Sequence, residues 1–188
     1  MAVLPIRISG EPVLHEPAAE VVEFNETLTE LVSDMFDTMA AAPGVGLAGP
    51  QVGVPLRLFV YNWTDDDDTL WRGVAINPEL WVTPTIPAEA DEDEESEGCL
   101  SIPGERFPLQ RGDRAILRAR DLDGEPYEIV AEGWLARIFQ HEFDHLNGVL
   151  YADRLEPAYA KAVAKALRKN GWGVPDQSWT PGIDHLED

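Results

Sequence analysis

The chain has 188 residues, of which 35 are acidic and 14 basic, giving a formal net charge of −21. That length suits one domain burying roughly 70% of the surface its unfolded chain exposes, and the charge argues against a DNA or general nucleic-acid binder, because a polyanionic surface repels phosphate. No apolar run approaches the length of a membrane span and no signal segment stands at the N-terminus, so a soluble cytoplasmic protein is the expectation.

The first predicted element is a helix capped by Asn25 or Thr27, whose Leu28, Leu31, Val32, Met35, Phe36 and Met39 recur at helical spacing until Pro43-Gly44 stops it. A glycine-rich loop, Gly44-Val-Gly-Leu-Ala-Gly-Pro-Gln-Val-Gly53, leads into an apolar strand from Leu56 to Tyr61. Its first six residues match the dinucleotide fingerprint, but that fingerprint needs a strand before it and a helix after it, and this loop follows a helix and runs into Pro50.

Further strands are predicted near 74 to 77, 79 to 83, 114 to 120 and 126 to 131, with Asp123-Gly124 as a hairpin turn between the last two. Two acidic runs, Asp65 to Asp68 and Glu89 to Ser96, are expected to be solvated loops, since neither has the alternating ligands and glycine of a calcium loop. A helix is predicted from Trp134 to Asn147, ended by Gly148, and another from Pro157 to Asn170, ended by Gly171. From Trp172 onward the chain lacks periodicity. The expected organisation is a single catalytic domain over residues 1–170 and an irregular, loosely packed acidic extension over residues 171–188. The fold class is α+β: small, mostly antiparallel sheets around a central helix, with an N-terminal and a C-terminal helix.

The chemistry concentrates in Gln140-His141-Glu142-Phe143-Asp144-His145. Residues four apart on a helix share a face, so both imidazoles can bind one divalent ion while Glu142 reaches a water on it. Trp134, Ile138, His141 and His145 form one stripe, expected to point inward. A catalytic divalent site usually has three protein ligands. His185 lies in the ragged tail, so the third is expected from the lone cysteine, Cys99, in Glu97-Gly-Cys-Leu-Ser101, a segment able to pair as an edge strand. Taken singly, each of these residues reads first as a buried imidazole or a packed thiol; together, with a glutamate beside the first histidine, they point to a metal.

The segments Gly44 to Gln51, Glu97 to Ser101 and Gln140 to His145, in this order and spacing, resemble the three signature motifs of peptide deformylases. The resemblance runs from Ile6-Arg-Ile-Ser-Gly10 to Asp153-Arg-Leu155, departing at Gly49, usually alanine, and in the acidic run before Glu97. It implies removal of the N-terminal formyl group from nascent formyl-Met proteins, with release of formate. It also implies that Cys99, His141 and His145 hold the metal, typically Fe2+, though Zn2+, Ni2+ or Co2+ suit the same ligands. Glu142 would move the proton, and the Leu100 N–H and the Gln51 amide would stabilise the anion on the formyl oxygen. Val45, Gly46, Trp134 and Ile138 are candidates for the methionine pocket, and core packing is an equal reading for Trp134. Arg106 faces the substrate groove or forms a surface ion pair. Glu97 and Asp144 are placed to orient ligands.

All three lysines, Lys161, Lys165 and Lys169, fall on one stripe of the last helix, with Arg168 alongside. They complement the helix dipole or, as the resemblance implies, face the ribosome. Two other functions stay open at this point. A metallopeptidase would use a third ligand other than Cys99, and a structural metal would need a fourth.

Overall fold

The structure, a computed structural model, describes residues 2–85 and 90–186. In chain order its elements are β1 (Ile6–Arg7), α1 (Glu26–Ala41), β2 (Gly46–Ala48), β3 (Leu58–Thr64), β4 (Leu70–Val82), β5 (Ser96–Cys99), β6 (Ile102–Pro108), β7 (Arg114–Arg120), β8 (Pro126–Glu132), α2 (Gly133–Leu146), α3 (Pro157–Asn170) and β9 (Ser178–Trp179). The strands form a five-stranded antiparallel sheet, ordered β2-β3-β4-β7-β8, and two antiparallel pairs, β5-β6 and β1-β9. This is the expected α+β class. No helix among the described residues is long and apolar enough to cross a membrane.

Strand alternation decides what each face of the large sheet meets. Phe59, Tyr61 and Ala75, with Ala115, Leu117 and Ala119 of β7, turn to α2 and its Leu135, Ala136, Phe139 and Leu146. Leu58, Val60, Val74 and Ile76 turn the other way, onto Val32, Met35 and Met39 of α1. Asn25 caps α1, its side chain accepting from the Leu28 N–H at 3.1 Å. The far side of α2 faces the β5-β6 pair, where Cys99 and Ile102 join Leu150, Tyr151 and Val163 of α3 in a third cluster. α2 is therefore central, walled by the large sheet on one side and the cysteine hairpin on the other.

Several expectations change. The two strands read near 74 to 77 and 79 to 83 are one strand, β4, whose pairing with β7 shifts between Ile76 and Glu79. Asn77 takes the bulge in the left-handed region, and its side-chain amide bonds both the N–H and the C=O of Val21 at 2.8 Å. The glycine-rich segment is not wholly loop: Gly46–Ala48 pairs with Phe59 to Tyr61 as the edge of the large sheet.

The acidic runs are more than solvated charge. Asp65 organises the β3-β4 turn, accepting from the N–H groups of Asp67 and Thr69 and from Trp71 Nε1 at 2.8 Å. Glu95 leaves the second run to pair with Arg137 of α2 at 3.0 Å; Glu89 lies outside the described residues. The loosely packed tail is also corrected. β9 pairs with β1, and Trp179 is 1% exposed, because its ring completes a small core with Ile6, Ile8 and Ala42.

Candidate metal centre

α2 places His141 and His145 on one face, with ring centroids 5.0 Å apart. Cys99 ends β5, where the hairpin register slips between Gly98 and Cys99. Its Sγ lies 3.4 Å from His145 Nε2, and one donor atom from each of the three residues falls within 4.8 Å of the others. One thiol and two imidazoles suit borderline and soft divalent ions. Glu142 is buried beside them, and its Oε2 has no hydrogen-bond partner among the described residues. An unsatisfied buried carboxylate oxygen costs about 1–3 kcal/mol unless something polar meets it. The residues present fit a metal and the water it would carry.

The His141 ring is held on two sides. Its Nδ1 lies 3.0 Å from Glu97 Oε2, leaving Nε2 for an ion, and its face stacks on Tyr151 at 6.1 Å. Glu97 is itself gripped: Arg111 donates to both its oxygens at 2.9 Å, and Arg137 Nη1 donates at 2.8 Å. Burial alone would raise the Glu97 carboxyl, yet hydrogen bonds from His141 and Arg111 outweigh it and hold the group well below the usual carboxylate range. Arg111 also bonds Asp144, whose carboxylate Arg154 clasps from the other side with two bonds of 2.6 Å. His145 differs, since its Nδ1 is buried with no partner among the described residues.

Glu142 sits against β2. A Cβ on Gly46 would collide with the Glu142 carboxylate, so only glycine leaves room for the acid where it stands. Burial pushes the Glu142 carboxyl up to about 7, against the opposing pull of a charged His141 and with help from Glu97. Gln51 is aimed by the Ala48 N–H, which donates to its Oε1 at 2.9 Å. Its Nε2 is thereby turned towards Cys99 Sγ, at 3.8 Å, and Ser101 Oγ, at 3.3 Å. Leu100 follows the cysteine at the same cleft. That cleft has a volume of about 550 Å3, and Val45, Gly46, Trp63, Arg106, Trp134 and Ile138 line it with the polar groups above.

Residues 3–161 match the family model for polypeptide deformylase. The chain is 50% identical over 186 residues to a peptide deformylase of Rhodococcus opacus, covering 97% of this chain and 95% of that one. It is 49% identical over 190 residues to a peptide deformylase of Tropheryma whipplei, covering 95% and 94%. The crystal structure of a peptide deformylase from Legionella pneumophila superposes with a TM-score of 0.77 at 39% identity, covering 90% of this chain and 96% of that one. The chain belongs to the polypeptide deformylase family.

In this deformylase fold, the expected ligands Cys99, His141 and His145 converge, with Glu142, Gln51 and Leu100 around the same cleft. Ile138 serves two surfaces, packing in the sheet-side core and lining the cleft. Val45 is 38% exposed at the rim, whereas Gly46 is buried behind Glu142. Arg106 is exposed at the cleft edge and donates to the Ser96 carbonyl at 3.1 Å. Trp134 corrects the inward stripe: it is 37% exposed, its ring lying 6.2 Å from that of Trp63, with the Arg137 guanidinium 5.4 Å from its centroid. A ring that large is seldom fully buried, and at the first turn of α2 it packs against Trp63 and Arg137 with part of its surface in solvent.

Sequence reasoning missed Arg111, Arg137, Arg154, Trp63 and Trp179. Arg137 had a signal, four residues before His141 on the same helix face. The others meet the site only through long-range contacts.

Proposed function

We propose that this chain hydrolyses the N-terminal formyl amide of formyl-methionyl peptides, and that Glu142 is the group that moves the proton. The reading rests above all on the convergence of Cys99, His141 and His145 donor atoms within 4.8 Å, beside a buried carboxylate. Those three residues would hold one divalent ion, Fe2+ in the cell, with Zn2+, Ni2+ or Co2+ able to replace it in preparations. Once bound, the ion supplies Lewis acidity, acidifying a water and polarising the formyl oxygen.

Glu142 accepts a proton from the attacking water and passes it to the departing amine as the C–N bond breaks, so that formate and a free methionine amine leave. Burial raises the Glu142 carboxyl, which favours its holding the proton between those two halves. The Leu100 N–H and Gln51 Nε2 donate to the formyl oxygen as it gains charge. Glu97, by engaging His141 Nδ1, fixes the tautomer and the angle of that ring. Ile138, Val45 and the rim tryptophan Trp134 border the space for the methionine side chain, and Arg106 meets the peptide beyond it.

Protein prepared without oxygen should release formate from a formyl-Met peptide and leave the unformylated peptide intact. Cleavage of internal bonds in the unformylated peptide would instead support a metallopeptidase.

The same reading sets the enzyme in the cytoplasm, acting on newly made proteins. Lys161, Lys165 and Lys169 are exposed along α3, a cationic stripe on an acidic protein, and would face ribosomal RNA. Changing all three to glutamate should abolish co-sedimentation with ribosomes; unchanged co-sedimentation rules this surface out.

A further inference from the structure

The family model ends at residue 161, yet the last strand of the chain reaches the cleft. Trp179 Nε1 donates to the carbonyl of Leu100 at 2.8 Å, across 79 residues of sequence. One residue on, the Ser101 carbonyl accepts from the Ser9 N–H at 2.8 Å. Both carbonyls of the turn that follows Cys99 are therefore held from outside, one by β9 and the other by the segment after β1.

Those two holders are tied to each other. Ile6 pairs with Trp179 and Arg7 with Ser178; the Ile8 N–H donates to the Gln177 carbonyl at 3.1 Å, and the Gly173 N–H to the Ser9 carbonyl at 2.8 Å. The tail crosses so close to Gly10 that a Cβ there would collide with the Gly173 backbone. Trp179 is nearly inaccessible, and Leu100 packs against its cluster. A side chain so enclosed is held in place, with its N–H on the Leu100 carbonyl.

We propose that Trp179 is a positioning residue for the reaction: by holding the Leu100 carbonyl it fixes the turn that presents the Leu100 N–H to the formyl oxygen. The inference rests on the reading of Leu100 as an oxyanion donor. An oxyanion donor is useful in proportion to how firmly it is aimed, because stabilisation comes from dipoles that need not reorganise as charge develops. Without the indole N–H, the peptide after Leu100 can rock, and the N–H before it rocks with it.

The test compares wild-type enzyme with Trp179→Phe and with protein carrying 3-benzothienylalanine at position 179, which keeps the ring size and replaces the N–H by sulfur. Removing an oxyanion donor outright costs about 100- to 1,000-fold in kcat, so loosening one should cost about three- to tenfold, with KM within about twofold and metal content unchanged. Equal losses in both proteins support the tie. Full kcat in the benzothienyl protein overturns the proposal, whatever Trp179→Phe does, because only packing would then matter. If Trp179→Phe fails to fold, the benzothienyl protein decides alone. Hydrogen–deuterium exchange of the segment 99–102 supplies a readout independent of turnover: it should accelerate when the N–H is lost, and unchanged exchange contradicts the tie. Absence of formate release by the wild type would count against the proposed reaction, and the exchange result would still decide the contact.

Discussion

The two faces of α2 are built on opposite principles. Towards the large sheet the helix buries Leu135, Ala136, Phe139 and Leu146 against apolar neighbours, with Phe139 and Tyr61 edge to face at 5.1 Å. Towards the cysteine hairpin it buries Arg137, Asp144 and His145 with half-buried His141, in a mesh of ion pairs running from Glu95 to Arg154. Apolar packing is non-directional and sets where the helix lies. The ionic face adds little net stability, since desolvating charges offsets most of what pairing returns, but its hydrogen bonds set angles. A single helix thus separates holding from aiming.

The histidines repeat the contrast within the ionic face. His141 is aimed by Glu97, which is itself clamped by Arg111 and Arg137. His145 has no partner for Nδ1 among the described residues, so beyond packing it is aimed only through Nε2, 3.4 Å from Cys99 Sγ.

Substitutions on the two faces should therefore fail differently. The largest effect is expected for Phe139→Ala, which should lower unfolding free energy in urea by about 3–5 kcal/mol, while the folded protein keeps its metal affinity. A parallel loss of metal affinity would mean that the faces are not separable. Glu97→Gln should strike the metal directly: affinity, measured by competition with a chelating dye, should fall about 10- to 100-fold, roughly 1.4–2.7 kcal/mol, alongside the stability lost by leaving Arg111 and Arg137 short of a buried partner. Unchanged affinity would remove the aiming role from the network. Gly46→Ala is the smallest and most local perturbation. Its methyl must displace the Glu142 carboxylate, and a modest misplacement of a proton-transfer group should lower kcat about tenfold with metal content and melting temperature nearly unchanged.

How far the sequence could be read follows the same division. α1 and α3 were legible because their signals are local: Asn25 caps one, Pro157 starts the other, and Gly171 ends it in the left-handed region. The histidines and Glu142 were legible because four-residue spacing is itself geometry. Cys99 was reached by counting ligands and stands at the centre in the structure. β2 was hidden because its one glycine, Gly46, answers to the Glu142 carboxylate and its pairing to the strand beside it, neither of which local propensity records. The two strands read near 74 to 77 and 79 to 83 join as one, through a bulge at Asn77 that Val21 satisfies from a distant part of the chain. Arg111 and Trp179 carried no signal at all, since each acts on a carboxylate or a carbonyl brought near by the fold.

The central claim is that Glu142 moves the proton at a centre held by Cys99, His141 and His145. Glu142→Gln keeps the shape of the side chain and removes its basicity. Prepared without oxygen and assayed for bound metal and for formate release from a formyl-Met peptide, it should keep full metal content and lose about 100- to 10,000-fold in kcat. A variant that holds its metal and releases formate at the wild-type rate would contradict the account.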